Sequence, residues 1–313
     1  MQRKTIDRIV GSAVILLLMM PVQAAPEMNG FKLTDALVSP RKIKSGGPPR
    51  DGIPALFAPR FLPADEAAYL EPDERVIGIA YKGVIKAYPI KILNYHEIAN
   101  DQFGDAAVAV TFCPLCGTGI AFLADAGGQK RTFGVSGLLY NSDVLMYDRE
   151  TESLWSQIMA QAISGPASGT PLQPIPVLHT TWANWLARHP GSLVLKPPTA
   201  YGRNYEVSPY LDYAASPELM FPVTHKDQRY ATKSVVLGVK IGELTKAYPF
   251  EELPADTDTL HDKLNEHSIV VKYDVPSQTA WALDQDGAEI PSFTAYWFAW
   301  VAFHPDTEVF THQ

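Results

Sequence analysis

The sequence predicts a β-rich α+β protein built from an internally duplicated unit, each copy holding small mixed sheets and short helices. Two ungapped matches 160 residues apart carry this expectation. Val76-Ile77-Gly78-Ile79 and Lys86-Ala87-Tyr88-Pro89-Ile90 return as Val236-Leu237-Gly238-Val239 and Lys246-Ala247-Tyr248-Pro249-Phe250. A second pair follows in the same order: Trp185-x-x-x-His189-Pro190 before Val194, and Trp300-x-x-x-His304-Pro305 before Val309. Self-similarity in a fixed order marks a repeated supersecondary unit. Alternating apolar runs that end on a Tyr-Pro turn mark paired strands entering a short helix.

Five segments follow. Residues 1–24 read as a signal peptide, with Arg3, Lys4 and Arg8 as a basic start, an apolar run Val10–Met20, and small residues in Val22-Gln23-Ala24 for cleavage. The run is too short to span a bilayer. A periplasmic or secreted protein is expected, with no membrane span left after cleavage. Residues 25–74, with Gly46-Gly47-Pro48-Pro49 and Asp51-Gly52-Ile53-Pro54, read as an extended lead-in containing one short helix at Ala64–Leu70. Repeat one is 75–197, the Tyr- and Pro-bearing stretch 198–233 is a connector, and 234–313 is repeat two, expected to be structural.

Composition narrows the function classes. The chain has 26 basic and 34 acidic residues; loss of Arg3, Lys4, Arg8 and Asp7 with the signal segment leaves 23 and 33, a net charge of −10. Nucleic acid is excluded as a natural partner by that balance. Two cysteines are too few for a disulfide scaffold, so the fold rests on an apolar core, for which 46% hydrophobic residues suffice.

The chemistry has one address. Ala107–Phe122 holds both cysteines in Cys113-Pro114-Leu115-Cys116-Gly117, between the alternating runs Val108, Val110, Phe112 and Ile120, Phe122. A thioredoxin-like pair opens a helix whose N-terminus lowers the thiol pKa. A Cys-Pro-x-Cys-Gly turn between strands is instead a metal knuckle, and with no second Cys pair the other ligands must come from His, Met, carboxylate or solvent. Of eight histidines, His96 is confined to repeat one like the cysteines, and it is the expected third ligand. An S₂N set suits copper or zinc. His189 and His304 recur in both repeats and read as caps or packing groups; His179 is a weaker candidate.

Phe133–Gln157 is also extra to repeat one. Within it Ser136, Asn141 and Asp143 are the groups expected to orient a substrate or a metal-bound water, although Tyr140-Asn141-Ser142-Asp143 also has the chemistry of a plain hairpin turn. Three functions stay open: a metal-binding protein in metal handling or a metal-dependent reaction, a cell-envelope thiol–disulfide oxidoreductase, and a non-catalytic scaffold with a local disulfide. Partners are expected to be a metal ion or a small molecule.

Arg50-Asp51-Gly52-Ile53-Pro54, Lys86-Ala87-Tyr88-Pro89, His96-Glu97-Ile98, Cys113-Pro114-Leu115-Cys116-Gly117-Thr118, Gly134–Arg149, Trp155-Ser156-Gln157 and Trp182–Pro190 resemble a prokaryotic family known as domain of unknown function 3179. The resemblance covers most of the chain, departing in Asn94-Tyr95 where the family often has Asn-Trp. It implies an exported or membrane-associated protein and brings no activity with it.

Overall fold

Strand Arg75–Tyr81 turns through Lys82-Gly83 into Val84–Pro89, and the pair is antiparallel with Gly78 opposite Ala87. Leu178–Thr181 pairs antiparallel on one side and Leu193–Leu195 parallel on the other, with Phe61–Pro63 at the outer edge. This sheet is the first blade. Val235–Ile241, Leu244–Pro249, Ser292–Tyr296 and Glu308–Val309 make the fourth blade with the same pairing senses. The second blade orders Gln173–Ile175, Thr118–Leu123, Ala106–Cys113, Ile98–Phe103 and Leu56–Phe57. The fifth orders Thr259–Leu264, His267–Asp274, Thr279–Leu283 and Glu289–Ile290. In the chain, between Thr118–Leu123 and Gln173–Ile175 of the second blade, come the main strands of the third, ordered Gln161–Ser164, Leu154–Ser156, Asp143–Asp148, Phe133–Tyr140 and, from the lead-in, Ile43–Ser45. The structure, a computed structural model, describes residues 26–33 and 35–312, and the expected signal segment 1–24 lies outside them.

These five sheets are arranged as a five-bladed β-propeller, which overturns the expected α+β body of two related halves. The physical reason lies in the faces of the strands. In Ala106–Cys113, Val108, Val110 and Phe112 pack with first-blade residues such as Ile77 and Tyr88, while Ala109 and Cys113 pack with Phe133 and Trp155 of the third. A sheet that is apolar on both faces needs another sheet on each side, and a ring of blades provides that. The helices are too short to form a layer: α1 (Ile90–Leu93), α2 (Trp182–Arg188), α3 (Leu211–Ala215) and α4 (Trp297–Phe303) have four, seven, five and seven residues.

The matched motifs mark equivalent strands of two individual blades. Each needs its glycine because a tryptophan lies on it. A Cβ on Gly78 would stand 2.2 Å from Trp185 of α2, and one on Gly238 2.1 Å from Trp300 of α4. The indole N–H groups are answered alike, by Ser192 Oγ at 2.8 Å and Thr307 Oγ1 at 2.9 Å. His189 and His304 end their helices tilted against those indoles, with ring centroids 4.2 Å apart in both.

The chain leaves the first blade after Pro89, builds the second and third, and only then returns to finish both earlier sheets. The described part of the lead-in contributes edge strands to blades one, two and three, covering edges that would otherwise be open to pairing. The connector crosses the ends of the blades. There Lys233 Nζ holds the carbonyls of Ser216 (2.5 Å) and Glu218 (2.9 Å), and lies 3.4 Å from the Tyr213 ring centroid.

Candidate metal centre

Cys113 ends one strand and pairs with Thr118, which begins the next, so Cys113 opens a hairpin turn and Cys116 lies within it. Cys116 N–H donates to Cys113 O at 3.2 Å, and no helix follows the pair. Gly117 takes a φ of +62°, and the Tyr296 ring covers it so closely that a Cβ would stand 3.0 Å away. Tyr296 N–H also donates to Cys116 O at 2.8 Å, tying the turn to the start of α4. From the connector, Tyr213 Oη donates to Leu115 O at 3.0 Å. Both cysteines are free thiols, and both are buried.

The neighbouring third-blade hairpin turns through Asn141 and Ser142, both at positive φ (+51° and +65°), the conformation of a type I′ turn. This aims the Ser142 carbonyl at the sulfurs, 3.7 Å from Cys113 Sγ and 3.5 Å from Cys116 Sγ. Asp143 follows. Its Oδ2 accepts from Ile158 N–H at 3.1 Å and from the Ser156 hydroxyl at 3.5 Å. Its Oδ1 is buried without a hydrogen-bond partner. A carboxylate oxygen of Asp143 and the two sulfurs all lie within 4.8 Å of one another, close enough to bind a metal.

His96, the expected third ligand, is turned elsewhere. Its Nδ1 is 2.7 Å from Pro54 O and its Nε2 2.7 Å from the Tyr205 hydroxyl, so both ring nitrogens are engaged by the lead-in and the connector. The place at the sulfurs belongs to Asp143, which the sequence marked as a polar group near the site but not as a member of the ligand set. Asn141 is a tie: its Nδ2 donates to Ala302 O at 3.0 Å, and its Oδ1 accepts from Thr224 N–H at 2.9 Å. Ser136 fills a β-bulge, donating to Leu145 O and accepting from Leu138 N–H at 3.0 Å. Of the other histidines, His179 bonds Thr294 Oγ1 through Nδ1, joining the first blade to the fourth.

Glu97 is the residue that the sequence reading passed over. It stands directly after His96 at a φ of +55°, in the left-handed region that favours glycine, with its N–H donating to Leu93 O at 2.7 Å. The signal for it was only its place beside His96. Burial, and then the nearby Asp143 carboxylate, push its pKa up to about 8. Burial likewise pushes Asp143 up to about 7, raises Cys113, and raises Cys116 well above an ordinary thiol. Among the described residues, no basic side chain offsets the burial of these four acids. Desolvation without a counter-charge keeps such groups protonated, whereas a bound cation reverses that balance.

The fold and site together define a class: a five-bladed propeller with two cysteines and an aspartate buried among its second and third blades and α4. Within that class, the chain belongs to the family described as protein of unknown function (DUF3179), whose model matches residues 50–307. Comparison with curated proteins and with solved structures gives no match.

Proposed function

We propose that this is an exported metal-binding protein that holds a thiophilic ion, zinc in preference to copper, between Cys113, Cys116 and Asp143. The observation that carries the reading is the orphaned Asp143 Oδ1, buried beside two buried sulfurs with no basic group among the described residues to balance them. Leaving a polar atom buried and unpaired costs stability, and coordination removes that cost. With His96 engaged elsewhere, the donor set is two thiolates and a carboxylate oxygen. A hard oxygen beside soft sulfurs suits Zn²⁺ better than Cu(I). The Ser142 carbonyl, 3.7 and 3.5 Å from the two sulfurs, is at hand to add to the coordination. The basic and apolar pattern of residues 1–24 supports export.

The thiol–disulfide reading finds less support. An attacking thiol needs access and a substantial thiolate fraction at neutral pH. Here both thiols are buried and shifted the opposite way, and a strand follows the pair where a helix N-terminus would be needed. A local Cys113–Cys116 disulfide would close too short a loop to stabilise the fold much.

The test is metal analysis and a thiol count on protein purified from its native compartment. About one zinc per chain is expected, with both thiols unreactive until a chelator removes the metal, and with zinc lost in Cys116→Ser. Metal-free protein that exchanges disulfides with a dithiol substrate would sink the reading.

A further inference from the structure

Away from the cysteine cluster, a cavity lies between the second, third and fourth blades. It measures about 410 Å³. Its floor is apolar: Ile120, Phe122, Ile158 and Ile175 are all buried, and Phe293 is partly so. Its rim is exposed at Pro171, Lys240 and Pro291. An apolar enclosure of this size with a few polar groups at one end is the usual form of a small-molecule site.

The polar end decides the ligand class. Among the described residues, Lys240 is the one charged side chain that lines this cavity, and it has neither an ion-pair nor a hydrogen-bond partner. His304 lies beside it, tilted against Trp300, and its ring nitrogens have no hydrogen bond among the described residues. Glu243 and Asp306 line the adjoining hollow, which shares Lys240 and His304, but not this one. Strand pairing does not demand a lysine here. At the equivalent place in the first blade stands Ala80, equally exposed, and the hollow beside it is lined by Arg188, Trp281 and Glu289.

We infer that this cavity binds a small amphipathic carboxylate, its hydrocarbon body on Ile120, Phe122, Ile158, Ile175 and Phe293 and its anionic head at Lys240 Nζ, with the His304 imidazole as a hydrogen-bond donor. The site needs no metal and stands independently of the cysteine cluster. A charge-assisted contact at the rim fixes which end of the ligand faces out, and apolar burial supplies the affinity.

Isothermal titration with hexanoate, octanoate and decanoate at neutral pH tests this on the full chain, with and without added zinc. One ligand per chain is expected. Affinity should rise about fourfold per methylene, the equivalent of ~0.8 kcal/mol, until the cavity is filled. Lys240→Ala should weaken octanoate binding by about tenfold or more, and Lys240→Arg should largely retain it. Octylamine, with the opposite charge on the same chain, should not compete. No saturable binding of any acid, unchanged affinity in Lys240→Ala, or equal binding of octylamine would each overturn the assignment. Lys240 is exposed, so circular dichroism of its variants should match the parent and separate loss of binding from loss of fold.

Discussion

Glu97 occupies a backbone conformation that favours glycine while its carboxyl is buried within electrostatic reach of Asp143. A non-glycine residue held this way costs on the order of 1 kcal/mol or more, and such strain gathers at functional sites. Glu97→Gly is therefore expected to raise the melting temperature of metal-free protein while weakening zinc retention. A lower melting temperature without metal would show that packing, not its charge beside the metal site, keeps the glutamate. The protons on this cluster set a second expectation. Asp143 is raised to about 7 and the thiols stay above their ordinary values, so near neutrality a metal must displace protons to bind. Zinc affinity should fall by about tenfold or more per pH unit between pH 8 and 6, one decade for each proton displaced. Chelator competition at three pH values measures the slope, and a flat profile would mean that the ligands are already ionised. The cysteine turn was legible because Pro114 and Gly117 are local turn chemistry. His96 misled for the opposite reason: its partners, Pro54 and Tyr205, are 42 and 109 residues away. Asp143 announced polarity, but only the docking of two hairpins from different blades makes it a neighbour of the sulfurs.

The helix-and-hairpin element of the first and fourth blades was the most readable part of the fold because close packing restricts its residues. An indole lies directly over a strand glycine in both, and each Trp N–H needs a hydroxyl seven residues on. Gly78→Ala or Gly238→Ala should destabilise by about 3 kcal/mol or more, since the new methyl meets ring atoms with no room to yield. Gly83→Ala is the control: its φ is +76° but nothing lies within 4 Å of the new Cβ, so about 1 kcal/mol is expected. Urea melts of the three variants compare them, and a similar cost at Gly78 and Gly83 would show that the indole moves aside. The second and fifth blades share their hairpin register just as closely, with Cys113 opposite Thr118 and Asp274 opposite Thr279. They escaped the sequence because a strand asks only for alternation, which many side chains satisfy. Without that match, two blades read as two halves and the ring stayed hidden.

At the scale of the whole molecule, two histidines held neutral by their surroundings make stability depend on pH. His179 links the first blade to the fourth through Thr294, and burial, reinforced by Arg75, puts its pKa well below the ordinary value. Burial and Lys240 lower His304 to about 4. Both groups bind protons more readily when unfolded, so stability is greatest above about pH 6.5 and falls as pH drops toward the folded values. His304 alone should account for about 2 kcal/mol between pH 7.5 and 5, a slope that His304→Gln should reduce. Thermal melts across that range measure it; equal melting temperatures at pH 7.5 and 5 would contradict the assignment. The nested chain order has a consequence in time. The first blade's central hairpin, Arg75–Pro89, waits for its flanking strands Leu178–Thr181 and Leu193–Leu195 until the two intervening sheets have been made. A nascent chain that stops short of Leu193 therefore carries bare strand edges, open to proteases and to other chains. The protein must be sheltered during its synthesis until the late strands arrive, and truncated products should be cleared rather than accumulate as stable fragments.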